Sequence, residues 1–462
     1  MKRGLMNNAQ KALDYAHRNR ERFLNDLVKA LKIPSISTDA EYNNEVRRAA
    51  DWMAEHLRAL GIENVQVMPT DGGHPVVYGD YMKKPGAKTV LIYGHYDVQP
   101  VDPIELWASE PFTGIQRGDY FYGRGTSDMK GQVMASLKAV EAVMRTSGLP
   151  VNVKWLIEGE EEIGSNNLGI FVQKNADLLK ADVCLNPDAG MMSADLPTIT
   201  YGLRGLCYLE LRVYGPSKDL HSGLYGGMIH NPAQVLTELV AGMHDKNGKI
   251  TLPGFYNNVR KLTKQERAAF ARLPIKKKEL LEQTGVKDLW GEPAFTPAER
   301  VGARPTLEVN GLLSGWTGKG SKTVLPAFAM AKISCRLVPD QTPEDVVKQM
   351  KAYLKAKAPK TVRWELEELT HSGWAITDLN SPGVQAMSNA LETVWGRKTL
   401  FRREGGSIGV VVQLQQYAKV ETVLTGFGLP DDDIHSPNER LHLPTWHKGI
   451  ESLVHFIYNM KA

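Results

Sequence analysis

The chain reads as an α/β domain interrupted by a smaller inserted domain of ferredoxin-like βαββαβ order, and three features of its pattern predict this. Short β-rich runs alternate with helical periodicity up to about residue 200. The rhythm changes near residue 204, where strands outnumber helices, and an α/β pattern returns from about residue 377. Strands alternating with helices imply a largely parallel sheet covered on both faces. The expected division is therefore 1–203, 204–376 and 377–462.

Taken in order, residues 15–32 and 43–60 carry helical periodicity. TVLIYG (89–94), VNVKWLIEG (151–159) and ADVCLNP (181–187) are short, apolar and β-branched, as strands buried on both faces are. MKGQVMASLKAVEAVMRTSG, between the first two, reads as an amphipathic helix that stops at Gly148 and Pro150. In the middle region GLCYLELRVYG is a strand, NPAQVLTELVAGM a helix, and TLEVNGLL and AFAMAKISCRLVP are two more strands. PEDVVKQMKAYLKAKA is then a helix and TVRWELEEL a final strand, which completes the βαββαβ order. A polar stretch at about 245–304 interrupts it.

Composition narrows the function classes. The 462 residues exceed the usual size of one core, and 42% hydrophobic with 23% charged residues is ordinary for a globular chain. The formal charge of +4 arises from 56 basic and 52 acidic residues that are interspersed, so no basic stretch is concentrated enough to suit a nucleic-acid backbone. Cys184, Cys207 and Cys335 show no C-x-x-C spacing and read as reduced core residues. The N-terminal MKRGLMNNAQKALDYAHRNRERF lacks an apolar signal region, and no run is long enough to span a membrane, so a cytoplasmic protein is expected.

Potential metal ligands fall just past strand ends. His95 and Asp97 stand two apart on extended chain and so project to one face. Asp128 precedes a helix, Glu160, Glu161 and Glu162 follow the next strand, Asp188 follows the one after, and His435 supplies a second imidazole late in the chain. Each has an ordinary reading: a chance H-x-D, a helix N-cap at Asp128, a hydrated surface run of glutamates. Ligands in open α/β sheets, however, bind beyond the carboxyl ends of the strands, so these segments converge there. Carboxylates with imidazoles suit zinc, with cobalt or manganese as alternatives, and a bound cation would offset the repulsion in the glutamate run.

The motifs GHYDVQP, YGRGTSDMKG, EGEEEIGS, DLHSGLYGG, SCRLVP, REGGSIG and HSPNE, in this order, together resemble the M20 family of dinuclear metallopeptidases, in its carnosinase-like cytosolic dipeptidase branch. The resemblance implies two divalent metal ions per subunit, zinc foremost, held by His95 and Asp188 on one side and Glu162 and His435 on the other, with Asp128 bridging. It implies that Asp97 orients His95, that Glu161 is the general base, and that Glu160 is a bystander facing elsewhere. It further implies a homodimer formed through the inserted lid domain, with His221 reaching into the partner's site to stabilise the oxyanion. Arg336, Thr323, Gly406 and Ser407 would hold the carboxylate of a small peptide substrate, Glu404 its α-amine, and His371 joins this substrate group.

Other readings compete. An N-acyl-amino-acid deacylase of the acetylornithine or succinyl-diaminopimelate type would share every metal ligand. GGSIG fits G-x-S-x-G, which makes Ser407 a nucleophile followed by Asp431 to Asp433 and His435 in α/β-hydrolase order. GWTGKGSKT (315–323) approximates a phosphate loop but carries an intruding Ser321 and is followed by Pro326 where a helix should begin. A metal-dependent binding protein without catalysis is a further alternative, which an intact Glu161 argues against.

Overall fold

The computed structural model describes residues 2–461, with side chains from residue 7 onward. It has a mixed α/β fold that divides into two compact units, residues 1–201, 377–402 and 409–462 forming the first, and residues 202–376 and 403–408 the second.

In the first unit the strands lie in the order Glu63–Met68, Val76–Tyr81, Asn152–Glu158, Thr89–His95, Val183–Asn186, Thr422–Leu424. The last four run parallel, so Glu158, His95, Asn186 and Leu424 end at one edge. Strand Asn152–Glu158 is buried along its whole length, and the charge in its middle, Lys154, is satisfied by donating to the carbonyls of Leu178 and Lys180 at 2.7 Å.

The helix expected to be amphipathic, Lys130–Met144, is instead buried nearly all round. It lies on strand Thr89–His95 and beneath helices Lys2–Arg18, Arg20–Leu31 and Leu443–Asn459. Gly94 permits this approach, because a Cβ there would stand 2.4 Å from Val133 Cγ2. The polar positions that suggested a wet face are paired internally. Lys130 Nζ donates to the carbonyls of Ala30 and Ile33 at 3.2 and 2.6 Å. Lys138 Nζ reaches Asp26 at 2.7 Å, Glu141 at 3.0 Å and His56 at 3.2 Å. Burial alone would raise the Asp26 carboxyl, but hydrogen bonds from Lys138 and Lys29 hold it down at about 2. The periodicity expected over 15–32 resolves into two helices that break at Asn19, whose side chain donates to the Tyr15 carbonyl at 2.8 Å.

The second unit is built on an antiparallel sheet in the order Thr306–Ser314, Phe328–Leu337, Gly205–Tyr214, Arg363–Ser372. Along Phe328–Leu337 burial alternates residue by residue, as a sheet with one covered face requires. Helices Pro232–Ala241 and Pro343–Lys357 supply residues of the cover, and both begin with a proline behind an Asn231 or Thr342 cap. The polar stretch at 245–304 contains three short helices, Lys264–Ala271, Lys277–Thr284 and Pro297–Ala303. Two of these start at capping boxes, Thr263 with Glu266 and Thr296 with Glu299. The stretch that resembled a phosphate loop leads into the strand Val324–Leu325 and no helix follows, which removes the nucleotide reading. Cys184, Cys207 and Cys335 are free and buried. No helix among the described residues is long and apolar enough to cross a membrane.

Because Lys138 neutralises two carboxylates away from water, Lys138→Met should cost about 3–5 kcal/mol, the scale for breaking a buried charge pair from one side. Lys29→Met removes an exposed partner of the same Asp26 and should cost less than about 1 kcal/mol. The shift in urea midpoint of each variant checks this contrast.

Candidate metal centre

The sequence-predicted ligands come together at the strand-end edge of the first unit. His95, Asp128 and Asp188 form one group and Asp128, Glu162 and His435 a second, with the potential ligand atoms of each group within 4.8 Å of one another. Asp128 faces both ways: Oδ1 lies 3.2 Å from His95 Nε2, and Oδ2 lies 3.0 Å from His435 Nε2. Asp188 Oδ1 stands 3.8 Å from His95 Nε2, and Glu162 Oε2 stands 3.3 Å from His435 Nε2. Asp128 is not the N-cap of the helix behind it, since that place falls to Met129 without any side-chain cap bond.

The donor set fits divalent cations. His95 Nε2 is fully buried yet has no hydrogen-bond partner, and it points into the carboxylate group. Carboxylates and imidazoles of this kind suit zinc-like ions. Electrostatics agree. Burial pushes Asp188 well above the carboxylate range, and burial first, then Glu162 and Asp128, pushes Glu161 to about 7. The hydrogen bond to Asp128 raises His435 to about 10. A cluster that must gather protons to offset its own repulsion is one that cations would relieve.

Two of the candidate ligands, His95 and Glu162, are held from behind. His95 Nδ1 lies 3.1 Å from the Asp97 carbonyl and 3.4 Å from Asp97 Oδ1. Asp97 Oδ2 accepts from Ser37 Oγ at 2.7 Å and from the Glu162 backbone N–H at 3.1 Å, so one carboxylate steadies a residue in each group. Gln99 Nε2 donates to Glu162 Oε2 at 2.7 Å. Gln99 was open to sequence reasoning, because His95, Asp97 and Gln99 alternate along extended chain and share a face.

Glu439, the last residue of HSPNE, carries a role that the sequence reading missed. It is fully buried and accepts four hydrogen bonds: from Arg124 Nη1 at 2.9 Å and from the backbone N–H groups of Gly125, Ser127 and Asp128 at 2.8, 2.8 and 3.0 Å. Ser127 Oγ also donates to Asp432 Oδ2 at 2.7 Å. The loop bearing His435 thus grips the loop bearing Asp128, and it does so with His435 itself in the left-handed region at φ 60°. Glu160, expected to be a bystander, is buried and accepts from His74 N at 3.2 Å and Asn167 Nδ2 at 3.0 Å, which ties down the loop of Glu161 and Glu162. Glu161 makes no side-chain hydrogen bond among the described residues.

The remaining predicted residues lie in the second unit and form separate groups. His221 is exposed, accepts from Gly223 N at 2.9 Å, and sits opposite Val324, next to Thr323. Arg336 Nη1 donates to Ser407 Oγ at 3.3 Å, and Ser407 in turn donates to the Arg204 carbonyl. Gly406 and Glu404 belong to the same short segment, 403–408. His371 pairs with Glu368 at 2.8 Å on the edge strand Arg363–Ser372. Among the described residues no imidazole bonds Ser407, so the nucleophile of a serine triad is not assembled there.

The family description Peptidase family M20/M25/M40 matches residues 91–459. The chain belongs to this family. It is 33% identical over 468 residues to the Cys-Gly metallodipeptidase dug1 of Schizosaccharomyces pombe, covering 98% of each chain. It is 29% identical to the human Beta-Ala-His dipeptidase, covering 98% of this chain and 92% of that one. Among solved structures, the M20 family metallo-carboxypeptidase Sso-CP2 from Sulfolobus solfataricus superposes with a TM-score of 0.83 at 35% identity, covering 95% of this M20 chain and 99% of the other. The Saccharomyces cerevisiae dipeptidase Dug1p superposes at 0.78 with 28% identity, over 98% of both chains.

Glu439→Gln replaces a four-bond anionic acceptor by an amide that can satisfy only part of it. Divalent-cation affinity, measured by competition with a chromogenic chelator, should fall about 10–100-fold, the range for losing a supporting residue behind a ligand. Unchanged affinity would mean that the clamp does not position Asp128.

Proposed function

We propose that this M20 protein is a metal-dependent dipeptidase that hydrolyses the peptide bond of dipeptides with free amino and carboxyl termini. The observation that carries the reading is the pair of ligand groups sharing Asp128 with an unengaged carboxylate, Glu161, beside them. The dipeptidase names of the relatives support the substrate class. His95, Asp188 and Asp128 would hold one ion, and Asp128, Glu162 and His435 the other, zinc being the first choice and manganese or cobalt the alternatives. When bound, such ions lower the pKa of a water and polarise a carbonyl.

The chain's own groups do the rest. Asp97 keeps the His95 ring oriented. Glu161, raised towards neutrality, accepts a proton from the attacking water and returns it to the departing amine. In the second unit, read as a ferredoxin-like dimerisation lid, the edge strand Thr306–Ser314 exposes Val309, Leu312 and Leu313, which supports a homodimer through this face. His221, standing exposed, would reach the partner's site and donate to the oxyanion. Arg336, Thr323, Gly406 and Ser407 would hold the terminal carboxylate and Glu404 the α-amine, with His371 at the margin of the substrate group. A cytoplasmic setting accords with three free, buried thiols.

The likeness to a metallo-carboxypeptidase favours one second reading, removal of a C-terminal residue from longer peptides. A panel of dipeptides, tripeptides and N-acetyl amino acids separates dipeptidase, carboxypeptidase and deacylase by which class is cleaved fastest.

Chelation should abolish hydrolysis, and added zinc, cobalt or manganese should restore it. Glu161→Gln should retain bound metal, measured by elemental analysis, yet lose at least about 100-fold in kcat, since general bases contribute roughly 10²–10⁴-fold. Retained turnover in this variant would remove Glu161 from the chemistry.

Mixing inactive His221→Ala with inactive Glu161→Gln under conditions of subunit exchange should recover part of the activity, because one of the two sites in a hybrid dimer has both groups intact. Continued inactivity with exchange demonstrated by mass spectrometry would confine His221 to its own subunit.

A further inference from the structure

Within the second unit, strands and the 245–304 insertion line an open cavity of about 450 Å³. Arg204, Arg300, Arg304 and Arg336 all line it. Only one of these is neutralised: Arg304 makes two bonds of 2.8 Å to Glu292. Arg204, which is 9% exposed, donates to the carbonyls of Gly405 and Arg304 at 3.2 and 3.4 Å. Arg336 donates to the Ser407 hydroxyl, and Arg300 donates to the carbonyls of Trp290, Glu292 and Phe295. None of these three has a carboxylate within ion-pair distance among the described residues. Burial first, and then the neighbouring Arg336, depress Arg204 to about 10, as expected for cations crowded together without a counter-ion. The remaining acid in the lining, Glu308, is exposed. Three uncompensated cations therefore face one carboxylate, while Trp290 gives the cavity an apolar wall.

Cations left unpaired in a partly desolvated cavity are arranged for an anionic ligand. If Arg336 takes the terminal carboxylate, as in the reading above on which this inference rests, the side chain of that same residue lies within reach of the cavity, and a positive excess is still present there. We infer that the cavity is a side-chain subsite that selects an acidic residue, Asp or Glu, at the C-terminal position of the substrate. The insertion supplies Trp290 and Arg300 to it, so the 245–304 segment helps determine specificity. Its placement is braced. Glu266 of the first insertion helix forms a buried ion pair with Arg403 at the start of the 403–408 segment.

The test compares Ala-Glu with the isosteric Ala-Gln and with Ala-Lys on the metal-loaded full-length protein. Wild type should cleave Ala-Glu with kcat/KM roughly tenfold above Ala-Gln, the lower end for a hydrogen bond between charged groups, and Ala-Lys should be poorest. Ser334 lines the cavity two residues from Arg336 on the same strand, so Ser334→Asp should erase the preference for Ala-Glu, and Ser334→Asn should keep it. Glu308→Gln should widen the preference. Equal kcat/KM for Ala-Glu and Ala-Gln in wild type, or a ratio unmoved by Ser334→Asp, overturns the subsite and leaves the dipeptidase reading standing. Failure to cleave any dipeptide overturns both.

Discussion

Asp128, Glu161, Glu162 and Asp188 face one another where water is largely excluded, and their mutual repulsion is the constraint to which the first unit is built. Two imidazoles offset part of it, with His95 and His435 on either side of Asp128. The rest of the design prevents the carboxylates from turning away. Asp97, Gln99 and Glu439 each hold a ligand-bearing segment by hydrogen bonds to its backbone or side chain, and Glu160 anchors its own segment to His74 and Asn167. A buried carboxylate that accepts several N–H bonds is well satisfied, so Glu439 can stand in the interior as a fixed anion.

The parallel strands make this arrangement compact. Side chains far apart in sequence reach one site because Thr89–His95, Asn152–Glu158 and Val183–Asn186 end together. The helix Lys130–Met144 brings Asp128 to the same edge by lying on Gly94. Its own charged residues are compensated beneath the site by Asp26, Glu141 and the carbonyls of Ala30 and Ile33.

Strand runs, the order of elements in the inserted region and the metal-ligand candidates were readable because each leaves a local mark: an apolar run, a turn residue, a carboxylate just past a strand. His95 and Asp97 announced themselves by their spacing, and Gln99 could have been added by the same rule. Thr263–Glu266 and Thr296–Glu299 were likewise capping boxes in plain view within a stretch taken only as polar. Glu439 left no such mark, since its partners lie more than 300 positions away in sequence and its importance rests on backbone N–H groups that no residue type reveals. The burial of Lys130 and Lys138 was hidden for the same reason. Lysine at a helical position signals solvent unless its distant carboxylate or carbonyl partners are known.

The ion pair between Glu266 and Arg403 bears on how such a chain diversifies. It fastens the 245–304 insertion to the 403–408 segment within the second unit, whereas the carboxylate cluster is housed in the first, with its own core and its own supports. If the cavity selects the substrate's side chain as inferred above, changes in the insertion would remould what is recognised while the carboxylate cluster keeps its own supports. On that inference a new substrate preference would need substitutions only around the cavity, Trp290 and Arg300 among them, and none at the strand ends.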